Sequence, residues 1–158
     1  MRRIFFLLVV SIVLPWSAQA QRELLPPRDL DIVREKWPDA ERLSTGLWSE
    51  IMRPSNGAKP QRGDTVSVLY KGFLLDGTMF DETKDPTKPF TFQLDRGKVI
   101  KGWEYGLLMM RKGEKRRLIV PFELGYGTRG RAPDIPRQAT LIFEVEIVDI
   151  KGPSIPGQ

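Results

Sequence analysis

The sequence predicts an antiparallel α+β domain, a curled sheet laid over one short helix. Three observations carry this. Apolar and other residues alternate through Val66–Tyr70, Phe90–Leu94 and Leu141–Val148, the period of half-buried strands. Asp76-Gly77, between Phe73-Leu74-Leu75 and Thr78-Met79-Phe80, is a strong hairpin signal and so favours antiparallel neighbours. Val99, Trp103, Leu107 and Met110 recur at helical spacing, the stripe that a short helix buries on one face.

The elements follow in order. Met1-Arg2-Arg3, the apolar run Ile4 to Leu14 and Ala18-Gln19-Ala20 are the three parts of a secretory signal. The run is too short for a bilayer, which takes about 20 apolar residues. Cleavage is expected after Ala20, with the mature protein in the periplasm or secreted and holding no stable membrane span. A retained anchor and a buried amino-terminal helix are the alternatives. Residues 21–44 form an extension, in which Leu30, Val33 and Trp37 fit a two-turn amphipathic helix ended by Pro38. So short a helix must pack on the domain or stay loose.

The domain proper is expected over residues 45–151. Leu47–Met52 reads as a strand closed by the turn cluster Pro54-Ser55-Asn56-Gly57, and Val66–Tyr70 as a second strand running toward Gly72. The hairpin comes next, then a polar loop from Asp81 to Pro89, then the strand at Phe90–Leu94. After the helix, Gly113 opens a strand from Glu114 to Val120, and Leu141–Val148 is a long final strand. Residues 152–158 are a loop tail. One helix on one sheet face implies a single core, which about 105 residues can supply.

Composition excludes several chemistries. The 158 residues include no cysteine and no histidine, so disulfides, thiol chemistry, a Ser-His-Asp triad and the common zinc sites are ruled out. Without residues 1–20 there remain 23 basic and 20 acidic residues, too weak a bias to argue for nucleic acid. Arg111-Lys112 and Lys115-Arg116-Arg117 are expected on a solvated strand face around a turn. Gly125-Tyr126-Gly127-Thr128-Arg129-Gly130 spells a dinucleotide fingerprint, but Pro133 and Pro136 follow where the phosphate-binding helix would have to start. Arg62-Gly63-Asp64 is better read as turn chemistry than as an adhesion tripeptide. Asp81, Glu82 and Asp85 lack the further oxygen ligands of a calcium loop, so no metal is expected. No cofactor is expected either.

Three strings in order carry a resemblance. They are Tyr70-Lys71-Gly72 with Asp76-Gly77-Thr78-Met79-Phe80-Asp81; Lys88-Pro89-Phe90-Thr91-Phe92 running into Val99-Ile100-Lys101-Gly102-Trp103-Glu104; and Gly125-Tyr126-Gly127 with Ala139-Thr140-Leu141-Ile142-Phe143. Residues 45–151 resemble the tacrolimus-binding (FKBP-type) peptidyl-prolyl cis-trans isomerases, and the export signal suggests a bacterial exported member. The resemblance implies five or six strands crossing one helix, with an apolar pocket between them. Tyr70, Phe80, Asp81, Trp103, Tyr126 and Phe143 would be its catalytic set, and Phe90, Val99, Ile100 and Ile135 would hold substrate. Trp103 would be the floor under the proline ring. The Ile100 N–H and the Tyr126 hydroxyl would bind peptide carbonyls, and Asp81 would be the one acid in an apolar wall.

Where many relatives have a basic partner for that acid, this chain has Pro86, with Lys84 nearby. Arg131 and Asp134 depart from the family's pocket rim. The implied partners are proline-containing segments of unfolded exported proteins, and tacrolimus- or rapamycin-like macrolides. The extension looks too short for the helical dimerisation arms of some exported relatives, so a monomer is expected. A chaperone or peptide-binding module of the same fold, with little turnover, is the alternative function. Phe92, Leu141 and Val145 are expected to be pure core, and Phe80 and Phe143 could be core as well.

Overall fold

The computed structural model describes residues 22–153. The expected export signal and all of the tail beyond Pro153 lie outside them. In chain order come α1 (Pro27–Lys36), β1 (Glu41–Arg42), β2 (Trp48–Arg53), β3 (Thr65–Leu74), β4 (Met79–Glu82), β5 (Phe90–Gln93), α2 (Lys101–Leu107), β6 (Lys115–Val120), a 3-10 turn (Phe122–Leu124) and β7 (Leu141–Lys151). The strands make one antiparallel sheet of seven, ordered β1-β2-β6-β7-β3-β4, with β5 also on β3. The two-residue β1 takes the count above the expected five or six.

β3 is a single ten-residue strand where the sequence had suggested two runs meeting near Gly72. Its whole length pairs with β7, and its other edge is shared, by β5 at Thr65–Val68 and by β4 at Lys71–Phe73. The Asp76-Gly77 turn closes as expected. Leu74 and Thr78 are hydrogen-bonded across it at 2.8 Å, and Gly77 takes φ +94°, which glycine adopts without a Cβ penalty.

Alternation along the strands sends Val66, Val68, Leu118, Val120, Leu141, Phe143, Val145 and Ile147 to the concave face, where Trp103, Leu107 and Met110 of the helical stripe meet them. Val99 lies before the helix, because Ile100 is extended (φ −61°, ψ 151°) and serves as its N-cap. The helix is only seven residues long and holds two glycines, a poor composition for a helix on its own. Packing explains the glycines. A Cβ on Gly102 would stand 2.6 Å from Val120, and one on Gly106 would stand 2.6 Å from Leu118, so both let the helix backbone press on β6. Gly102→Ala is therefore expected to lower stability by about 1–3 kcal/mol, since stiff Val120 cannot turn aside, despite alanine's better helix propensity. Chemical denaturation checks this, and a variant at least as stable as the parent would contradict the close approach.

The core is not single. Ile119, Ile142 and Trp48 point to the convex face and form a second, smaller cluster with Leu25, Val33 and Ala40. The helix α1 covers it, with Val33 fully buried and Leu30 and Trp37 packed alongside. Thr140 Oγ1 donates to Asp29 at 2.6 Å, and Lys36 Nζ to the Leu75 carbonyl at 3.1 Å, fastening the helix to the sheet. The extension thus packs, because three inward-outward alternations on β2, β6 and β7 leave large apolar side chains that only it can cover.

Arg111 and Lys112 are exposed beside a turn as expected, but Lys115-Arg116-Arg117 is not a solvated face. Arg116 is 8% exposed and pairs with buried Glu114 at 2.6 Å while donating to Ser49 Oγ at 3.0 Å. Arg117 bridges Glu50 and Glu144, and Lys115 reaches Glu144 at 3.0 Å. The register places Arg117 opposite both Glu50 on β2 and Glu144 on β7, so cross-strand carboxylates neutralise a run that looks naked in the sequence.

Candidate functional site

Between α2 and the concave face lies a cavity of about 300 Å³. Trp103, 4% exposed, lies at its base. Tyr70 from β3 and Phe143 from β7 meet the indole at centroid distances of 5.0 and 5.3 Å, both at 83°. Two rings thus stand almost square on a third, the favoured edge-to-face geometry, and make a box with one flat side. Phe80 stands at 90° to Phe143, 5.6 Å away, and Phe90 closes the side next to Tyr70 at 6.1 Å. Val99 and Ile100 line the cavity from the chain entering α2, and Tyr126 lines it from the loop after β6. As an N-cap, Ile100 has an N–H that the helix does not use.

Phe80 and Asp81 both line this cavity, although neighbours on a strand normally point to opposite faces. A β-bulge resolves the conflict. The β3–β4 register runs Gly72↔Asp81 and then Phe73↔Met79, leaving Phe80 as the extra residue and re-aiming its ring. Gly72 completes the arrangement, since a Cβ there would lie 2.8 Å from the Phe80 ring and 3.0 Å from Phe143.

The polar groups of the site are few and connected. Burial first, then the hydrogen bond to the adjacent Asp81 carboxylate, pushes the Tyr70 phenol up to about 12. Arg131 stands 3.8 Å from Asp81 and donates to the Tyr126 hydroxyl oxygen at 3.2 Å, with its guanidinium 5.0 Å from that ring's centre. Because arginine can only donate, the Tyr126 oxygen accepts and its own O–H remains available as a donor. The basic partner of Asp81 therefore comes from a loop fifty residues away, not from Lys84 beside the vacant Pro86 position.

Of the ten residues expected in the site, nine line the cavity. Ile135 does not. It is 2% exposed and belongs to the concave core, where it anchors the loop that carries Arg131. Two residues not assigned to the site by the sequence also line it, Lys98 and Arg131. The departure of Arg131 from the family rim was the one available signal, and Lys98 gave none. Phe92, Leu141 and Val145 are buried core as expected, while Phe143 is both buried core and cavity wall, and half-buried Phe80 packs on that core and lines the cavity. The fingerprint-like glycines end in turns without a following helix, and Asp64 accepts the Gln61 N–H in a tight turn. Among the described residues no group of three or more potential metal ligands gathers.

Comparison with known proteins adds the following. The family described as FKBP-type peptidyl-prolyl cis-trans isomerase matches residues 56–148. The human and mouse proteins named peptidyl-prolyl cis-trans isomerase FKBP2 are each 53% identical over 93 residues, 59% of this chain and 66% of theirs. The chain thus spans a little under two thirds of the length of these mammalian relatives. FK506-binding protein 2 of the yeast Debaryomyces hansenii is 45% identical over 115 residues, 73% of this chain and 84% of that one. Among solved structures, FkpA of Escherichia coli aligns with a TM-score of 0.71 and 39% identity, covering 80% of this chain and 59% of that one.

Proposed function

This chain belongs to the FKBP-type peptidyl-prolyl cis-trans isomerase family, and we propose that its pocket accelerates rotation about X-Pro bonds in unfolded segments of exported proteins. The observation that carries this is the aromatic box, an indole base with Tyr70 and Phe143 standing square upon it beside one connected polar edge. A proline ring is compact and apolar, and a small aromatic box of this kind can receive it. Proline is also the residue whose cis peptide is common and whose isomerisation is slow, with a barrier of about 18–20 kcal/mol.

That barrier is lost amide resonance, which places negative charge on oxygen and positive charge on nitrogen. Water stabilises that separation. Moving the bond into the aromatic cavity removes the water and penalises the planar form more than the less polar twisted one. The Ile100 N–H and the Tyr126 O–H then hold the flanking carbonyls while the bond turns between them. No nucleophile and no proton transfer is needed, which suits a chain without histidine or cysteine. With Tyr70 held protonated, kcat/KM should stay level from about pH 6 to 9. A bell-shaped profile in that range would instead reveal a general acid or base.

The test is a protease-coupled assay in which only the trans X-Pro peptide is cut. The protein should shorten a spontaneous phase of tens to hundreds of seconds at catalytic concentration. An unchanged phase would refute turnover and favour the chaperone reading, most clearly if aggregation of a proline-free client were suppressed equally well. The name of the yeast relative supports a tacrolimus-like macrolide as a competitor for the same pocket. Export to the periplasm or beyond rests on the three-part pattern of residues 1–20, and intact mass of the exported protein should begin at Gln21. The working species is proposed to be a monomer.

A further inference from the structure

The charged groups lining the otherwise largely apolar cavity are Lys98, Arg131 and Asp81, two cations against one carboxylate. Lys98 is exposed, and Arg131 keeps 44% of its side chain accessible while shared between Asp81 and Tyr126. Both positions are fixed by backbone. Arg131 and Ile135 exchange two hydrogen bonds of 2.9 Å, and buried Ile135 ties that tight loop to the core. The loop carrying Lys98 is held by Glu104 of α2, itself 7% exposed, whose carboxylate accepts the Asp95 and Gly97 N–H groups at 2.5 and 3.2 Å. Two long cations on two pinned loops thus flank the mouth of one small apolar site.

Resting on the isomerase reading above, we propose that Lys98 and Arg131 set substrate specificity, favouring segments in which an acidic residue flanks the proline. The proline ring fills the box, which leaves the side chains on either side of it at the rim. A carboxylate there gains from both cations, whereas a lysine there meets them as like charges. Asp81 tempers the field without cancelling it. Electrostatics of this kind act on selection among segments and leave the rotation itself to the box.

The experiment compares kcat/KM for X-Pro peptides carrying Glu, Gln or Lys immediately before the proline, and a second set carrying them immediately after. An Ala-flanked peptide is the common reference. At low salt the parent protein should turn over the Glu peptide about fivefold faster than the Lys peptide in at least one set, a rim-charge effect. That ratio should collapse near 1 M salt, where the Debye length is about 3 Å. In the double variant Lys98→Gln, Arg131→Gln the wall keeps only Asp81, so the preference should invert toward Lys. A mere loop-ordering role would change the rate on all peptides together and could not invert the ratio. Equal rates for Glu and Lys in both sets, or a ratio unmoved by the double variant, would overturn the proposal while the Ala peptide still reported turnover. Loss of turnover on every peptide by the parent protein would overturn the isomerase reading, and the preference with it.

Discussion

Replacing Trp103 with alanine should cost about 3–5 kcal/mol of folding stability and abolish isomerase activity together. The indole is 4% exposed and touches Tyr70, Phe90, Phe92 and Phe143, so its removal opens a void in the concave core and takes away one side of the cavity. A variant that unfolds could not separate these roles. Trp103→Phe keeps an aromatic base of smaller area, and should fold with reduced stability while losing part of its kcat/KM. Denaturation midpoints and the coupled assay, run on both variants, decide the matter. An alanine variant with full stability would show that the helix does not depend on this contact.

Phe80→Ala should separate activity from stability in the opposite sense. Phe80 is half-buried at a bulge on the margin of the concave core, so its loss should cost no more than about 1–2 kcal/mol. Activity should fall about a hundredfold, because the box loses the wall that confines the ring in its turning geometry. Asp81→Ala should likewise affect rate more than stability, as its contacts at 3.8 Å to Arg131 and beside Tyr70 are part-exposed. If Phe80→Ala unfolded the protein, the residue would belong to the core and the account of the bulge would be wrong.

Much of the fold was legible in the sequence because it rests on local periodicity. The alternation of Leu141, Phe143, Val145 and Ile147, the Asp76-Gly77 turn and the Trp103–Leu107–Met110 stripe each state which face is buried. The convex cluster was harder to see. Ile119 and Ile142 look like ordinary members of apolar strands, and only the register shows that they leave the sheet on the side of α1.

The site was legible through the order of its strings rather than through its geometry. Nothing in the pair Phe80-Asp81 says that both face one way, since a bulge is a property of how two strands pair. The Arg131–Asp81 contact joins positions fifty apart and follows no spacing rule. Arg117 shows the same limit from the other side. Three consecutive cations suggest a solvated surface until β2 and β7 bring Glu50 and Glu144 alongside. Ile135, expected on the wall, is instead buried in the core as the bridge partner of Arg131, which lines the cavity.

The central claim, that the aromatic box turns an X-Pro bond and does not merely hold it, is tested most directly by exchange NMR on a short X-Pro peptide. Without protein, the cis and trans resonances interconvert too slowly to show exchange cross-peaks on a one-second mixing time. With the protein at a few per cent of the peptide concentration, cross-peaks should grow in, and Trp103→Phe should weaken them. Resonances that shift with added protein but never exchange would mean binding without turnover, and would contradict the account.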